Sequence, residues 1–379
     1  MKNIALSIVL ITTIILPINK IFAQDNKEFK SSGKVWGYAF GDYYFKTHAD
    51  SANRGVAQYS GMKKDANSFE FRRIYLGYDY NISEKFSTEF LLAYEGSAFS
   101  SDGSRSVYIK SANLRWKNII PKNTLAVGQS QTPAFPMLTE KIWGYRSVEK
   151  TVLDMHKNGS SNDLGVSLLG TLDSAGNFGY NLMVGNGTAA KIESDRFKKF
   201  YGDVYAKLFD KKIVVDLYSD YERTQLNPYH KSKMTTKIAV AYTSEKFTIG
   251  IEMFQQIQEN NTTYSDTLGN KDTVNASVFG LSYYLRGMIV KDKLAFYLRA
   301  DVYDPDSKFN KNYIYSGGYS AFNTEIFLVA GVDYSPVKNV HIIPNIWYNG
   351  YANRQKNAAG LAKADYDLVP RLTFHYLFK

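Results

Sequence analysis

No cysteine occurs in the 379 residues. Disulfides, thiolate metal sites and cysteine nucleophiles are therefore excluded. Proline is scarce, at 9 residues, and neither it nor glycine gathers into a linker, so no domain boundary shows. The histidines His48, His156, His230, His341 and His375 are scattered without metal-ligand spacing. No phosphate loop or nucleotide fingerprint is present, and no cofactor is implied. Beyond the first two dozen residues there is no apolar run of helix length, so the remainder does not cross a membrane as helices. The net charge of +10 is spread along the chain rather than gathered into a stripe, which argues against nucleic acid as a partner.

The start of the chain reads as a signal peptide, residues 1–23. Lys2 precedes an apolar run from Ile4 to Ile18, and Ile21-Phe22-Ala23 puts a small residue before the cut. The run is too short for a membrane span. No cysteine follows it, which excludes a lipoprotein anchor. Cleavage near Ala23 removes Lys2 and Lys20 and lowers the net charge from +10 to +8.

What is abundant is alternation. In Leu294-Ala295-Phe296-Tyr297-Leu298-Arg299-Ala300-Asp301-Val302-Tyr303 one parity is apolar, and the other carries a cation, an anion and two phenols. A strand sends successive side chains to opposite faces, so this segment has one apolar and one polar face. About sixteen such segments are expected, near 34–46, 67–80, 85–95, 106–116, 123–132, 163–172, 177–186, 198–208, 212–222, 234–243, 246–256, 274–287, 293–304, 323–334, 339–349 and 366–378. Short connectors with turn chemistry, such as Asp210-Lys211 and Ser244-Glu245, alternate with long polar ones such as 47–66, 257–272, 305–322 and 350–365.

Tight turns on one side and long loops on the other are the mark of an all-β, transmembrane antiparallel β-barrel of the bacterial outer membrane. In lipid a closed barrel satisfies every backbone group and leaves no edge. Residues 24–33 then form a short periplasmic segment and 34–379 the barrel. Tyrosines near strand ends, among them Tyr43, Tyr44, Tyr78, Tyr334 and Tyr376, suit girdles at the lipid headgroups.

Residues 133–162, from Pro133 to Asn162, do not alternate. Structureless loops this long are usually functional, and a sixteen-stranded barrel leaves a water-filled lumen. Ile142, Tyr145, Val148, Val152 and Met155 lie near helical spacing, which predicts a short helix on the inner wall. Glu140, Lys141, Tyr145, Arg146, Glu149, Lys150 and Asp154 then become the expected pore constriction. Strand parity places Arg73, Arg115, Arg299 and Arg371 on the lumen wall beside Glu89, Asp203, Asp216, Glu252, Asp301 and Asp333. Mixed signs favour ion pairs bracing the wall over a basic track, while the surplus charge still predicts weak anion preference. The same parity puts Leu298 in lipid and Tyr297 in water, so that Tyr297→Arg is expected to be tolerated.

The blocks Phe69-Glu70-Phe71-Arg72-Arg73-Ile74-Tyr75-Leu76-Gly77, Val127-Gly128-Gln129-Ser130-Gln131-Thr132-Pro133-Ala134-Phe135, Val184-Gly185-Asn186-Gly187 and Arg299-Ala300-Asp301-Val302-Tyr303-Asp304-Pro305 resemble those of the phosphate-selective porin O and P family. The resemblance spans most of the chain after the leader, in the same order. It implies a sixteen-stranded, usually trimeric diffusion channel in the outer membrane with an inward third loop, and suggests passage of anions such as phosphate. The family's ladder of lysines and arginines does not map residue by residue onto this chain. Phe374, Tyr376 and Phe378, ahead of a terminal Lys379, would serve recognition by the barrel-assembly machinery.

Rival readings are an outer-membrane barrel enzyme, such as a phospholipase, and an adhesin or assembly platform built from the long loops. The enzyme needs a serine or aspartate with a histidine at the rim, and His341 and His375 show no serine partner in sequence. No catalytic residues are expected. Asp304 and Asp306, with Asp301 and Asn310, are a calcium candidate, although a proline-started turn explains them as well.

Overall fold

The computed structural model describes residues 29–96, 100–226, 228–310, 312–315, 323–353 and 364–379. The expected leader, 1–23, lies outside them, as does the start of the segment 24–33. The strands are β1 (Ser32–Phe45), β2 (Asn67–Asn81), β3 (Phe86–Glu95), β4 (Tyr108–Lys117), β5 (Asn123–Gln131) and β6 (Asn162–Thr171). They continue with β7 (Phe178–Gly185), β8 (Lys199–Leu208), β9 (Ile213–Gln225), β10 (Lys231–Thr243), β11 (Phe247–Ser265) and β12 (Lys271–Val290). The last are β13 (Leu294–Asp304), β14 (Ile314–Tyr315), β15 (Asn323–Val337), β16 (Val340–Asn353) and β17 (Asp365–Phe378).

All except the two-residue β14 form one antiparallel wall of sixteen strands. The wall closes where β17 returns to β1, with Gly37 opposite Phe378 and Tyr44 opposite Arg371. Closure leaves no strand edge along the wall, as lipid requires. Alternation decides the faces: Leu298 is 48% exposed on the outside, whereas Arg299 and Asp301 are buried inside. The outer face carries Ile74, Leu76, Leu164, Val166, Leu182, Val184, Ile249 and Leu328, all exposed. No helix among the described residues is long and apolar enough to cross a membrane.

The wall carries several bulges, and two of them turn a basic side chain inward. Phe40 faces Arg73 and Gly41 faces Phe71, so Arg72 is an extra residue in β2. Leu91 faces Ser111 and Leu92 faces Ile109, so Lys110 is an extra residue in β4. A bulge places two consecutive side chains on one face. Arg72 and Lys110 thereby join Arg73 and Ser111 inside, which parity alone does not reveal. Glycine at position 41 permits the first bulge, since a Cβ there would strike the Glu70 carbonyl and the Phe374 ring.

Other differences concern ends and loops. β11 and β12 run on as a hairpin through much of the expected 257–272 loop, and β14 adds to that hairpin opposite Tyr264 and Ser265. Tyr44, expected in an interfacial girdle, points inward and meets the Tyr59 ring at 5.1 Å.

Candidate functional site

Residues 132–161 connect β5 to β6 and lie across the inside of the barrel. Two short helices replace the single expected one: α1 (Thr139–Trp143) and α2 (Val152–Met155). Gly144, at φ 73°, ends α1 in the left-handed conformation and donates its N–H to the Glu140 carbonyl, so the helix cannot continue. The apolar spacing still serves its purpose. Tyr145, Val148 and Met155 pack with Trp143 against Tyr297, Phe327 and Trp347 of the wall. Phe135, Val152 and Leu153 pack against Met183, Tyr201, Tyr218 and Phe254.

Wall side chains grip the loop backbone. Arg371 donates to the Val148 carbonyl at 2.7 Å, and Arg72 donates to the carbonyls of Ser147 and Val148. Both arginines are buried beside Asp42 of β1. Arg299, paired with Asp301, donates to the Lys150 carbonyl. Lys237 reaches the Ala134 carbonyl at 2.6 Å, and Arg286 reaches that of Ile142 at 3.1 Å. Trp347 Nε1 donates to the Glu149 carboxylate at 2.9 Å. Arg299 and Arg371, expected as lumen-wall charges bracing strands or guiding ions, are thus spent on seating the loop. Arg73 and Arg115 do pair along the wall, with Glu95 and Glu89 respectively.

Tyr297 is a correction to the parity reading. It faces inward, but it is only 2% exposed, with its ring 4.4 Å from Tyr145 and 6.1 Å from Trp143. An arginine there would be forced into an aromatic contact rather than into water.

Loop 47–66, read from sequence as a plain polar connector, also folds inward. Tyr59 is buried and donates to Asp42 at 2.7 Å, while Lys46 Nζ donates to the Tyr59 carbonyl at 2.8 Å. Asp367 fixes the other limb through Lys46 at 2.7 Å and the Asp50 N–H at 2.8 Å. Only the tyrosine in a polar loop hinted at this, because Asp367 stands on β17, 317 residues beyond Asp50.

The expected constriction residues divide into two groups. Glu140, Arg146 and Asp154 form one ion-pair cluster, with Arg146 Nη1 2.7 Å from Asp154 and also bonded to Glu140. Burial raises the Glu140 carboxyl against the pull of Arg146. Burial also opposes ionisation of Asp154, yet Arg146 and Lys150 hold it below its ordinary value. Glu149 stays low for the same kind of reason, with Arg371 and Arg72 overcoming its burial. Tyr145 is pushed up by burial and by Asp333, whose carboxylate its hydroxyl approaches at 3.3 Å.

Lys141 and Lys150 stand outside that ion-pair cluster, in separate cavities. Burial lowers both ammonium groups, and Lys207 and Arg115 lower Lys141 further. Lys141, Arg115 and Lys207 line a cavity of about 290 Å³ with Ser130, Ser167 and Asn181, and no carboxylate is in its lining.

The rival sites resolve differently. His341 does have a serine beside it: Ser335 Oγ is 3.0 Å from Nδ1. Asp333 lies 3.0 Å from that same nitrogen. A nucleophile relay puts serine and carboxylate on opposite ring nitrogens, so this trio lacks the geometry. At the calcium candidate, Asp306 accepts the N–H groups of Ser277 and Lys308, and Asp304 accepts that of Asp306. Asp301 is committed to Arg299. These carboxylates build a turn, and no cluster of three metal-ligating side chains exists among the described residues.

The sequence matches no family model and no curated protein sequence. Solved structures do match its shape. The outer-membrane channel DcaP of Acinetobacter baumannii aligns over 94% of this chain and 100% of its own, with 13% identity and a TM-score of 0.67. An anion-selective porin from Comamonas acidovorans covers 92% and 100%, with 11% identity and a TM-score of 0.60. Salmonella typhi OmpF covers 91% and 97%, with 12% identity and a TM-score of 0.57. At such identities the likeness is one of fold, and the fold is that of the outer-membrane porins.

Proposed function

We propose that the chain is an outer-membrane channel for passive diffusion of small hydrophilic solutes, with a weak preference for anions such as phosphate. In this reading it is exported with its leader cut near Ala23, leaves 24–33 in the periplasm, assembles through Phe374, Tyr376 and Phe378, and works as a homotrimer. Segment 133–162 sets the constriction. Glu140, Arg146 and Asp154 are its self-neutralised rim, and Lys141 and Lys150 are its cationic contribution.

The observation that carries the preference is the cavity lined by Lys141 and Lys207, with no carboxylate in its lining and with Arg115, paired to Glu89, at its edge. A charged lining in a low-dielectric wall enriches counter-ions. The cavity lies between the loop and the inner faces of β4 to β8, while the Arg371, Arg299 and Trp347 side of the lumen is filled by loop contacts. The porin fold of the neighbours supports a diffusion pore in general. The test is the reversal potential across a planar bilayer under a KCl gradient. Anion-selective current is expected, and clear cation selectivity would refute the preference.

A further inference from the structure

The outer part of the lumen holds a second cavity of about 310 Å³ between the two inward loops. Its walls differ in kind. Val56 and Met62 of loop 47–66 and Phe40 of β1 give it an apolar part, and Arg72, Arg73, Arg146, Lys150 and Lys157 line the rest with Glu70, Glu95 and Glu149. Arg72 is spent on Asp42, Arg73 on Glu95 and Arg146 on Glu140 and Asp154, which leaves Lys150 and Lys157 as the cations outside those pairs. Val56, an apolar side chain in this lining, is 51% exposed. Such exposure sets Val56 apart from inward apolar side chains such as Trp347 and Phe254, which are covered by the loop between β5 and β6.

The loop that presents Val56 is held rigidly. Arg54 pairs with Asp50 at 2.7 Å, Ser60 meets the Tyr351 hydroxyl at 2.9 Å, and Tyr59 is clamped to Asp42. Gly55, at φ +88°, turns the chain tightly against Tyr351. The apolar strip is therefore preorganised rather than a floppy loop tip. Gln58, on the same loop, also belongs to the lining.

Resting on the channel reading above, we propose that this vestibule is a docking subsite for small amphipathic monoanions, compounds with a flat or branched apolar body and one carboxylate. The apolar body lies on Val56, Met62 and the edge of Phe40. The carboxylate meets Lys157 and Lys150. A small polar anion gains only the charged half of these contacts, and a neutral aromatic alcohol only the apolar half. The subsite thus selects for the combination, upstream of the cavity at Lys141.

Single-channel recording with sodium benzoate, sodium acetate and benzyl alcohol tests this. Benzoate added on the loop side is expected to block KCl current at a concentration about tenfold lower than acetate or benzyl alcohol requires. Val56→Asp and Lys157→Gln lie on exposed loop positions, and each is expected to raise the half-blocking benzoate concentration toward that of acetate. Discrete openings show that a variant has folded. Equal block by benzoate and acetate, or benzoate block unchanged in both variants, overturns the subsite while leaving the channel standing. Protein that inserts without conducting refutes the channel reading itself, and the subsite with it.

Discussion

Leu298 and Tyr297 are adjacent in β13 and separate two causes of instability. Leu298 is the fifth residue of the strand, so it lies roughly 13 Å along it at 3.3 Å per residue. A strand tilt of about 40° brings that to roughly 10 Å of depth, close to the middle of an apolar band about 25 Å tall. Leu298→Arg therefore puts a guanidinium near the bilayer centre, opposite Leu285 and Ala330 on the flanking strands, and is expected to cost about 2–4 kcal/mol. Tyr297→Ala leaves the lipid face alone but empties the contact with Trp143 and Tyr145. Its hydroxyl has no hydrogen-bond partner, so the loss is packing, about 3 kcal/mol on the scale of buried aromatic truncations. Urea unfolding from lipid vesicles measures both costs, and single-channel recording tells them apart. The Tyr297 variant is expected to conduct more or flicker because its loop loses a support. The Leu298 variant, once inserted, is expected to conduct like the parent. Leu298→Arg within about 0.5 kcal/mol of the parent would refute the assignment of faces.

Arg371→Met removes a donor to the Val148 carbonyl and the Tyr59 hydroxyl, but Asp42 keeps Arg72. The cost is expected at about 3 kcal/mol, the low end for breaking a buried pair, with raised conductance in the same preparation. Unchanged conductance would mean that the clamp does not set the bore. Burial lowers the Lys141 ammonium from the ordinary value of 10.5, so it loses its charge at lower pH than a free lysine. Anion preference is expected to fall as pH rises toward that value, and Lys141→Arg is expected to flatten the profile. A profile identical in parent and variant would remove Lys141 from the selectivity. Charge reversal by paired Lys141→Glu and Lys207→Glu substitutions is expected to turn the reversal potential toward cations.

The wall was legible because a half-wet sheet writes its own period into the chain. Leu294 through Val302 alternate without a break, and so do Phe178 through Val184. Bulges defeat that reading: one inserted residue at Arg72 or Lys110 changes the face without changing the composition. The loop between β5 and β6 announced itself by not alternating, and Tyr145, Val148 and Met155 marked its packing side. Its anchors stayed hidden because Arg299 and Arg371 look like any lumen charge until Asp301 and Asp42 are seen beside them, and because parity points Arg72 outward. Loop 47–66 was missed for the same reason, since Asp367 and Tyr351 are distant in sequence. The long β11–β12 hairpin was cut short because residues near Thr262 and Thr263 have left the lipid, and the outward apolar signal ends there.

Asp42 belongs to the first strand and Arg371 to the last, and together with Arg72 they hold Ser147 and Val148. The latch on the internal segment is therefore completed only when the cylinder's two ends meet. A nascent sheet still open at that seam has no finished restriction. Zipping the seam and seating the inward segment are one event, and in the channel reading an assembly intermediate would be wider than the closed barrel.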